Sequence, residues 1–516
     1  MSSKKVRIII YLLDYSFFLI KLMNFKEEKK EEFLNSAVEV CKKNNILFPT
    51  FKMLDNPKLI PDKIKQELKN VGMDDLNPLN LFRITWHNEP LEKGGQFSDV
   101  PNYIEIPPEI SGIKSRIIML LGRHFPTGSH KVGASYGPLV TRITSGRFDP
   151  KNHKSLWPST GNYCRGGVFN AALMHSHGVA ILPENMSKER FDWLNSINAE
   201  IIKAPSTESS IKEVLDISNK LVKEGKGKII SLNQFIDFSN PIWHYWCTGR
   251  ALEKVFHHVA KPGQRLAGAH LCEGSGGTLS GSTFYLRQKF PLIKIAAGEA
   301  IQCPTLMTNG FGSHRIEGIG DAFVPWILNM KNIDLIVGID DEDVMKIVHL
   351  FNQPAGIAYL KEKGVKEEII EKLKLLGISS IANLLGCIKE AKLYEFNEND
   401  IIVSVCTDSM KLYQSRLKEK KGEYTRDEAV EAYTRCLMGQ GANNCKELTY
   451  LDKKSCHSLK YFTWIEQQGL DVKELNNQWY EDNYWENRMS EKIVDMYDSW
   501  IKEFNKKTGL GEKYGI

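Results

Sequence analysis

RLAGAHLCEGSGGTLSG, residues 265–281, decides the fold. Its first eight residues are an apolar run typical of a buried strand, and a glycine-rich turn then opens a helix. Backbone N–H groups at such a turn can bind phosphate, because glycine allows close approach and the helix dipole favours negative charge. The stretch is not a dinucleotide fingerprint, since Leu279 stands where glycine or alanine is required, and no GK[ST] of a P-loop follows. It predicts a site for another phosphorylated cofactor; the alternative is a glycine turn without a ligand.

The alternation of strand and helix extends on both sides of this stretch. Apolar runs predict strands at 115–121, 177–183, 199–205, 226–232, 265–272, 292–300, 333–339 and 401–407. Helical spacing of apolar residues predicts helices at 163–176, 187–198, 209–223, 341–351 and 377–392, with an inserted charged helix at 361–374. Strands alternating with helices of this length are typical of βαβ crossovers, so the chain is predicted to be α/β with parallel sheets.

Composition excludes several classes of protein. The 516 residues include 68 Lys+Arg and 63 Asp+Glu, a formal net charge of +5, which is ordinary for a globular chain and excludes a disordered or strongly basic nucleic-acid-binding protein. Ten cysteines without a CxxC or zinc-ligand spacing exclude a disulfide scaffold and give no metal site. We expect a cytoplasmic protein with no nucleic-acid or membrane partner.

The N-terminal apolar segment 8–20 needs separate treatment. It is too short to span a bilayer and contains Asp14, and no small-residue cleavage site of a signal peptide follows it. We expect a packed N-terminal helix or a chain that truly starts at Met23; a signal or anchor segment is the alternative.

Two further motifs carry chemistry. In FPTGSHKVGASYG, residues 125–137, Lys131 follows a Gly/Ser/Thr turn at the start of a predicted helix. The helix dipole and apolar neighbours disfavour its ammonium form, and a neutral amine is what an imine-forming lysine requires; a solvated surface lysine is the alternative. In WPSTGNYCRGG, residues 157–167, hydroxyl, amide and backbone N–H groups of the turn could hold a carboxylate.

Together these segments resemble the tryptophan synthase β-like family of pyridoxal-phosphate enzymes, called fold type II, with motifs most similar to cysteine synthase and cystathionine β-synthase. PTGSHK resembles the Schiff-base segment of that family, STGN its substrate loop and GSGGT its phosphate loop. Other segments match in the same order over roughly 115–413: QFIDFSNPIWHYWCTG (234–249), HRIEGIG (314–320), GISS (377–380) and TDSMKLY (407–413).

The resemblance implies a fold, a cofactor and residue roles. It implies two parallel-sheet lobes, a large cofactor-binding lobe (86–138 and 247–413) and a small mobile lobe (139–246), flanked by an N-terminal helical extension (1–85) and a helical C-terminal appendage (414–516). The cofactor would be pyridoxal 5′-phosphate, bound as an imine to the catalytic Lys131. The other implied site residues are Asn162 at the pyridine 3-oxygen, Ser409 at the pyridine nitrogen, Gly274, Ser275, Gly276, Gly277 and Thr278 at the phosphate, and Ser159, Thr160, Gly161 and Gln234 at the substrate.

A hydroxyl at the pyridine nitrogen leaves that nitrogen unprotonated and the electron sink weaker, which suits loss of a β-substituent. If Asp408, the neighbour of Ser409, were the partner instead, this argument would fail. Tyr163, Cys164 and Arg165 replace the small residues usual after the asparagine. They could shape the site for a bulkier or anionic substrate, or Tyr163 and Arg165 could form an exposed first turn of a helix.

The resemblance therefore implies β-replacement on a β-substituted L-amino acid through an aminoacrylate, as in cysteine synthase. One alternative is a β-elimination lyase of the serine dehydratase or cysteine sulfhydryl lyase type. An alternative of another class is an inactive cofactor-binding protein whose C-terminal helices dock a partner. We also expect a homodimer.

Overall fold

The computed structural model describes residues 27–159, 161–206 and 211–515. The apolar segment 8–20, Met23 and Thr160 lie outside this range. The strands are β1 Tyr103–Ile106, β2 Arg116–Leu121, β3 Lys154–Pro158, β4 His177–Pro183, β5 Glu200–Ala204, β6 Ile229–Ser231, β7 Arg265–Cys272, β8 Lys294–Ala300, β9 Leu335–Ile339, β10 Asp400–Cys406 and β11 Cys445–Glu447.

Helices surround these strands. The α-helices are α1 Glu27–Lys43, α2 Phe51–Asp55, α3 Asp62–Leu68, α4 Pro108–Ser111, α5 Lys131–Thr144, α6 Asn162–Leu173, α7 Lys188–Ser196, α8 Ile211–Glu224, α9 Ser239–Trp243, α10 Gly249–Val259, α11 Gly277–Lys289, α12 Thr305–Thr308, α13 Asp341–Asn352, α14 Pro354–Glu362, α15 Glu367–Leu373, α16 Ile378–Leu393, α17 Gln414–Lys418, α18 Arg426–Glu431, α19 Tyr450–Ser458, α20 Val472–Tyr480, α21 Tyr484–Arg488, α22 Glu491–Thr508 and α23 Leu510–Tyr514. π-Helical turns cover His244–Thr248, Ala432–Leu437 and Tyr461–Gln467.

The strands form two sheets. One has seven strands in the order β1-β2-β10-β7-β8-β9-β11, parallel except for its two antiparallel edge strands, β1 and β11. The other has four parallel strands in the order β5-β4-β3-β6. The predicted α/β class with two parallel-sheet lobes is confirmed. Every residue of β9 and β10 is buried, as expected of parallel strands covered by helices on both faces.

Several differences from the sequence prediction have local causes. Strand β3, whose five residues include Lys154 and Ser155, was not among the predicted strands. Strands β1 and β11 were not predicted, because three or four residues with partial burial carry too short a pattern. The predicted charged helix at 361–374 is two helices, α14 and α15, because Gly364 between them adopts a left-handed backbone with φ +83°.

The C-terminal region packs on the segment 324–328 of the preceding α/β part of the chain. In the C-terminal region the buried ammonium of Lys460 donates to the carbonyls of Trp326 (2.9 Å) and Leu328 (2.7 Å). The Trp464 indole donates to the Val324 carbonyl at 2.8 Å. The helical C-terminal appendage therefore holds the chain segment 324–328 in place. Of the helices in the described ranges, none is both long and apolar enough to cross a membrane.

Candidate active site

The site lies where the carboxyl ends of β7 and β10 meet the N-termini of three longer helices, α5, α6 and α11. Ligands of open parallel sheets bind at this edge. Two adjoining cavities occupy it and share Lys131, Gly274, Ser275, Gly318, Ile319, Ser379 and Thr407. The first extends to His130, Gly276 and Thr278, and the second to Ser159, Asn162, Tyr163, Gln234, Phe235 and Asp321. Segments far apart in the chain therefore face one cleft.

Lys131 is the first residue of α5 and stands between the two cavities. Its Nζ donates to the Ser275 hydroxyl at 3.2 Å. Burial lowers the pKa of the amine to about 8, and the carboxyls of Asp321, Glu273 and Asp408 partly oppose this. The shift has the direction that the sequence argument expects for an imine-forming lysine.

The phosphate loop is tightly packed. Gly276 has φ +78°, which favours glycine, and a Cβ on Gly277 would lie 2.3 Å from the Asn240 side-chain oxygen. The loop leads into α11, whose N-terminal N–H groups and dipole favour an anion. Gly277 does not line the cavities, and its requirement for glycine comes from the packing behind the loop.

Two histidines support the loop, and sequence reasoning did not include them among the site residues. His130 Nε2 lies 3.2 Å and His244 Nε2 3.3 Å from the Thr278 hydroxyl. Burial, together with the neighbouring Lys131, lowers the pKa of both imidazoles well below the usual value, so both are neutral. The position of His130 next to Lys131 in the sequence was the available signal for one of them.

These residues fit pyridoxal phosphate. A glycine loop at a helix N-terminus with hydroxyls at Ser275 and Thr278 suits its phosphate, and a buried amine of lowered pKa suits its aldehyde. The Asn162 side-chain oxygen is buried and has no hydrogen-bond partner in the described part of the chain. A hydrogen-bond acceptor is therefore available in the cavity that Lys131 also lines.

Asp408 is buried directly after Thr407, which lines both cavities, and it lines neither cavity itself. Its Oδ2 accepts hydrogen bonds from the Asn162 amide and the Tyr413 hydroxyl, each at 2.6 Å. The Ser409 hydroxyl is buried with no partner among the described residues and does not line the cavities, whereas Thr407 lines both. The contact of Ser409 with the pyridine nitrogen therefore stays a prediction.

Ser159, directly after β3, and Gln234, in the segment after β6, both line the second cavity. The Ser159 hydroxyl accepts a hydrogen bond from the Gly161 N–H at 3.0 Å. Gly161 has φ +148°, and a Cβ there would lie 2.5 Å from the Arg190 side chain, so glycine is required. Thr160 between them is not described.

The three residues after Asn162 divide between cavity and core. Tyr163 lines the cavity and its hydroxyl donates to the Leu232 carbonyl at 3.0 Å. Arg165 is only 1% exposed, its guanidinium lies 4.6 Å above the Trp193 ring, and it does not line the cavities. The exposed-helix alternative for this turn is therefore wrong.

Sequence reasoning also missed a buried chain of charged groups beside the substrate loop. Arg190 of α7 pairs with Glu317 of the HRIEGIG loop and donates to the Tyr413 hydroxyl at 3.0 Å. Arg416 donates to the other Glu317 oxygen at 2.6 Å. Because Tyr413 also donates to Asp408, the chain links α7 to the cleft.

The cleft suits an enzyme that binds a phosphorylated cofactor through a glycine loop and a lysine, and known enzymes of this kind are similar in sequence. Residues 109–362 match the family model described as pyridoxal-phosphate dependent enzyme. Cysteine synthase of Staphylococcus aureus is 30% identical over 290 residues, 56% of this chain and 84% of that protein. Cystathionine beta-synthase of Saccharomyces cerevisiae is 28% identical over 317 residues, 60% of this chain and 59% of the yeast protein, so the match spans less than two thirds of that relative.

Solved structures show the same fold. Cysteine synthase of Entamoeba histolytica superposes with a TM-score of 0.53 at 24% identity, covering 65% of this chain and 93% of that one. The O-acetylserine dependent cystathionine beta-synthase of Helicobacter pylori gives 0.52 at 24% identity, covering 63% and 96%. The chain belongs to the fold type II family of pyridoxal-phosphate-dependent enzymes, and its cofactor is pyridoxal 5′-phosphate.

Proposed function

We propose that this enzyme catalyses β-replacement on a β-substituted L-amino acid, in the manner of cysteine synthase. One observation carries the proposal: Lys131 faces both the phosphate loop and a second cavity lined by the Ser159 hydroxyl and the Gln234 amide. A bound amino acid would thus have its α-carbon near the lysine and its carboxylate near hydrogen-bond donors. The names of the relatives described above support this substrate class.

The residues divide the work as follows. Pyridoxal phosphate, when bound, supplies the electron sink that makes the substrate α-proton acidic. Lys131, whose pKa is lowered to about 8, removes that proton near neutral pH and later returns it to the α-carbon. Ser159, Thr160, Gly161 and Gln234 bind the carboxylate, and Gly274, Ser275, Gly276, Gly277 and Thr278 bind the phosphate. Asn162 and Ser409 contact the ring, as the resemblance implies.

β-Elimination to a keto acid and ammonia is the second candidate. Elimination and replacement use the same residues up to the loss of the β-group. They differ in the next step, in which either a second reactant adds or the product is hydrolysed by water. The buried position of the cleft favours replacement, because exclusion of water protects the reactive species formed in between.

We extend the proposal to the organisation of the chain. We assign residues 139–246 to a small substrate-binding lobe, since the whole four-stranded sheet lies within them. We further propose that two copies associate as a homodimer in the cytoplasm; solution scattering and cell fractionation test these two points.

The functional test is a screen of the purified holoenzyme against serine, O-acetylserine, O-phosphoserine, cysteine, threonine and cysteate. Cofactor absorbance reports loss of the β-group, and product analysis with and without added sulfide or thiol separates replacement from elimination. We expect a spectral change with at least one substrate and a new amino acid when the nucleophile is present. Keto acid as the product under all conditions would favour elimination, and no response to any substrate would contradict the proposal.

A further inference from the structure

The cleft contains a carboxyl group for which the proposed function has not yet assigned a role. Asp321 follows the HRIEGIG loop and lines the substrate cavity together with Lys131, Gln234 and Phe235. The Thr305 hydroxyl donates to its backbone carbonyl at 2.7 Å and so fixes the position of the residue. Its side chain is only 7% exposed, yet no hydrogen bond to its carboxylate is found within the described ranges. Burying a carboxylate without hydrogen-bond partners costs free energy, so its presence in the cavity wall points to a function.

A second carboxyl, Glu273, lies behind it. The Gly320 N–H donates to the Glu273 carbonyl at 2.9 Å, which places the backbone of the phosphate loop beside that of Asp321. Glu273 is 1% exposed, and one of its carboxyl oxygens has no partner in the described part of the chain. Burial, with Asp321 and Glu299 nearby, raises the pKa of Glu273 well above its usual value, so it stays protonated.

Asp321 itself titrates in the working range. Burial raises the pKa of its carboxyl to about 7, although the Lys131 ammonium opposes the shift. A third acid, Glu299, differs in role, because its two oxygens accept the Leu306 and Met307 N–H groups at 2.8 Å and it does not line the cavities. Only Asp321 of the three both faces substrate and can give and take a proton near neutral pH.

The chemistry needs such a group. When the bond from the β-carbon to a hydroxyl or thiol oxygen or sulfur breaks, the electron pair leaves with that atom, which must gain a proton. In the second half, water or a thiol must lose a proton as its bond to the β-carbon forms. Lys131 already carries the proton from the α-carbon and must return it there, so it does not serve both centres at once.

We propose that Asp321 is the acid–base residue at the β-carbon, a role that rests on the proposed function and deepens it. In its acid form it protonates the leaving oxygen or sulfur, and as the carboxylate it takes one proton from the entering nucleophile, which restores its starting state. Glu273 is a positioning residue that stays neutral, so the pair carries one negative charge at most, opposite Lys131. Such a group assists weakly acidic nucleophiles such as alcohols or alkyl thiols, which must lose a proton, more than hydrosulfide, which is largely ionised already.

The test compares substrates that differ in their need for a proton. In Asp321→Asn holoenzyme, the single-turnover cofactor absorbance change with serine should slow by about 10²–10⁴-fold, the usual contribution of a general acid. With O-acetylserine the same step should change by less than about tenfold, because acetate leaves as an anion. In the second half, addition of an alkyl thiol should slow more than addition of hydrosulfide. Equal losses for both members of each pair would overturn the proposal.

A second measurement does not depend on turnover. Burial raises the pKa of Glu299 to about 7 as well. Infrared difference spectra of the holoenzyme should therefore show two protonated carboxyls that titrate near pH 7, and the Asp321 signal is the one that disappears in Asp321→Asn and stays in Glu299→Gln. Its absence in the parent protein would contradict the assignment. If the parent protein responds to no amino acid while this carboxyl titrates, the proposed function fails, although Asp321 keeps its unusual pKa. If the parent protein turns over its substrates and Asp321→Asn slows both members of each substrate pair equally, the proposed function stands and the role of Asp321 fails.

Discussion

The two sheets hold opposite ends of the cleft, and they differ in how they are stabilised. The central strands of both sheets are buried: β10 throughout, and β3 and β4 after their first one or two residues. At the edge of the four-stranded sheet only the last residue of β5 is buried. Helix α7, next to β5, is tied to the rest of the protein by polar contacts: Arg190 to Glu317, Ser187 to the Leu412 carbonyl (3.2 Å) and Glu189 to Ser415 (2.7 Å). Polar contacts can be replaced one at a time by hydrogen bonds to water, whereas a buried strand must expose its apolar surface to water before it can move.

The comparison also limits which part of the small lobe could move. Helix α6 packs very closely on α5, because a Cβ on Gly166 would lie 2.7 Å from the Val132 Cα, and the Asn170 amide donates to the Val132 carbonyl at 2.9 Å. Asn162 and Lys131 therefore lie on helices that are fixed to each other. We infer that closure over the substrate involves β5, α7 and α8 more than α6.

The largest expected effect is on the rigid side of the comparison. Lys131→Ala should keep the fold and lose turnover by more than about 10⁴-fold, because proton transfer and covalent binding of the cofactor both depend on this amine. In the parent protein, borohydride should fix the cofactor to Lys131, as mapped by peptide mass spectrometry. Lys188→Ala, an exposed lysine of α7, is the control. Cofactor attached to another lysine would refute the assignment of the site.

Arg190→Met tests the polar side. Removing one member of a buried ion pair costs about 3–5 kcal/mol, and the effect should be at the lower end because Arg416 still pairs with Glu317. We expect a lower free energy of unfolding and an increase in KM of about tenfold, with cofactor affinity unchanged. The matched control Arg416→Met is more exposed and should cost about 1 kcal/mol or less. If cofactor affinity fell by the same factor as KM rose, the contacts of α7 and the cofactor-binding region would not be independent.

Gly277→Ala is the mirror experiment on the cofactor side. The new methyl group would press on Asn240, and overpacking of this kind costs about 1–3 kcal/mol. Cofactor titration of the apoprotein should show a Kd raised by about tenfold to a hundredfold, with KM for the amino acid nearly unchanged. Gly441→Ala, where the nearest atom would be 3.5 Å away, should leave both constants as they are. A selective rise in KM instead would reverse the assignment of the two sides.

The smallest effect is expected at Arg165. Its guanidinium packs on Trp193 inside the protein, and a desolvated contact of this type is worth about 2 kcal/mol. Arg165→Met should therefore lower the melting temperature slightly and change KM for O-phosphoserine and serine by the same small factor. A loss confined to O-phosphoserine would show that the guanidinium reaches an anionic β-group after all.

The parts of the site that sequence reasoning found are those built from contiguous residues. The strand, glycine turn and helix lie within residues 265–281, and the lysine lies at the start of α5 within residues 125–137, so local pattern and backbone geometry suffice. Strands β4 and β7 have the predicted bounds for the same reason, since an unbroken apolar run is visible without its partners. The short edge strand β11 has no such run.

Tertiary structure decided the pKa values and the buried ion pairs, because these depend on residues distant in sequence that meet in the low-dielectric interior. Asp321 and Glu273 are ordinary acids in the sequence, and only burial in the folded protein raises their pKa values, against the opposing charge of Lys131. Arg190, Glu317 and Tyr413 gain importance only because α7 packs on the HRIEGIG loop and on the segment after β10. The sequence by itself determined the fold class, because strand and helix periodicity are local patterns, and the resemblance of its motifs to a known family implied the cofactor and the role of Lys131. The proton-carrying groups and the contacts between the lobes were decided by packing, because electrostatic energy depends on distance and burial, which no single segment of sequence contains.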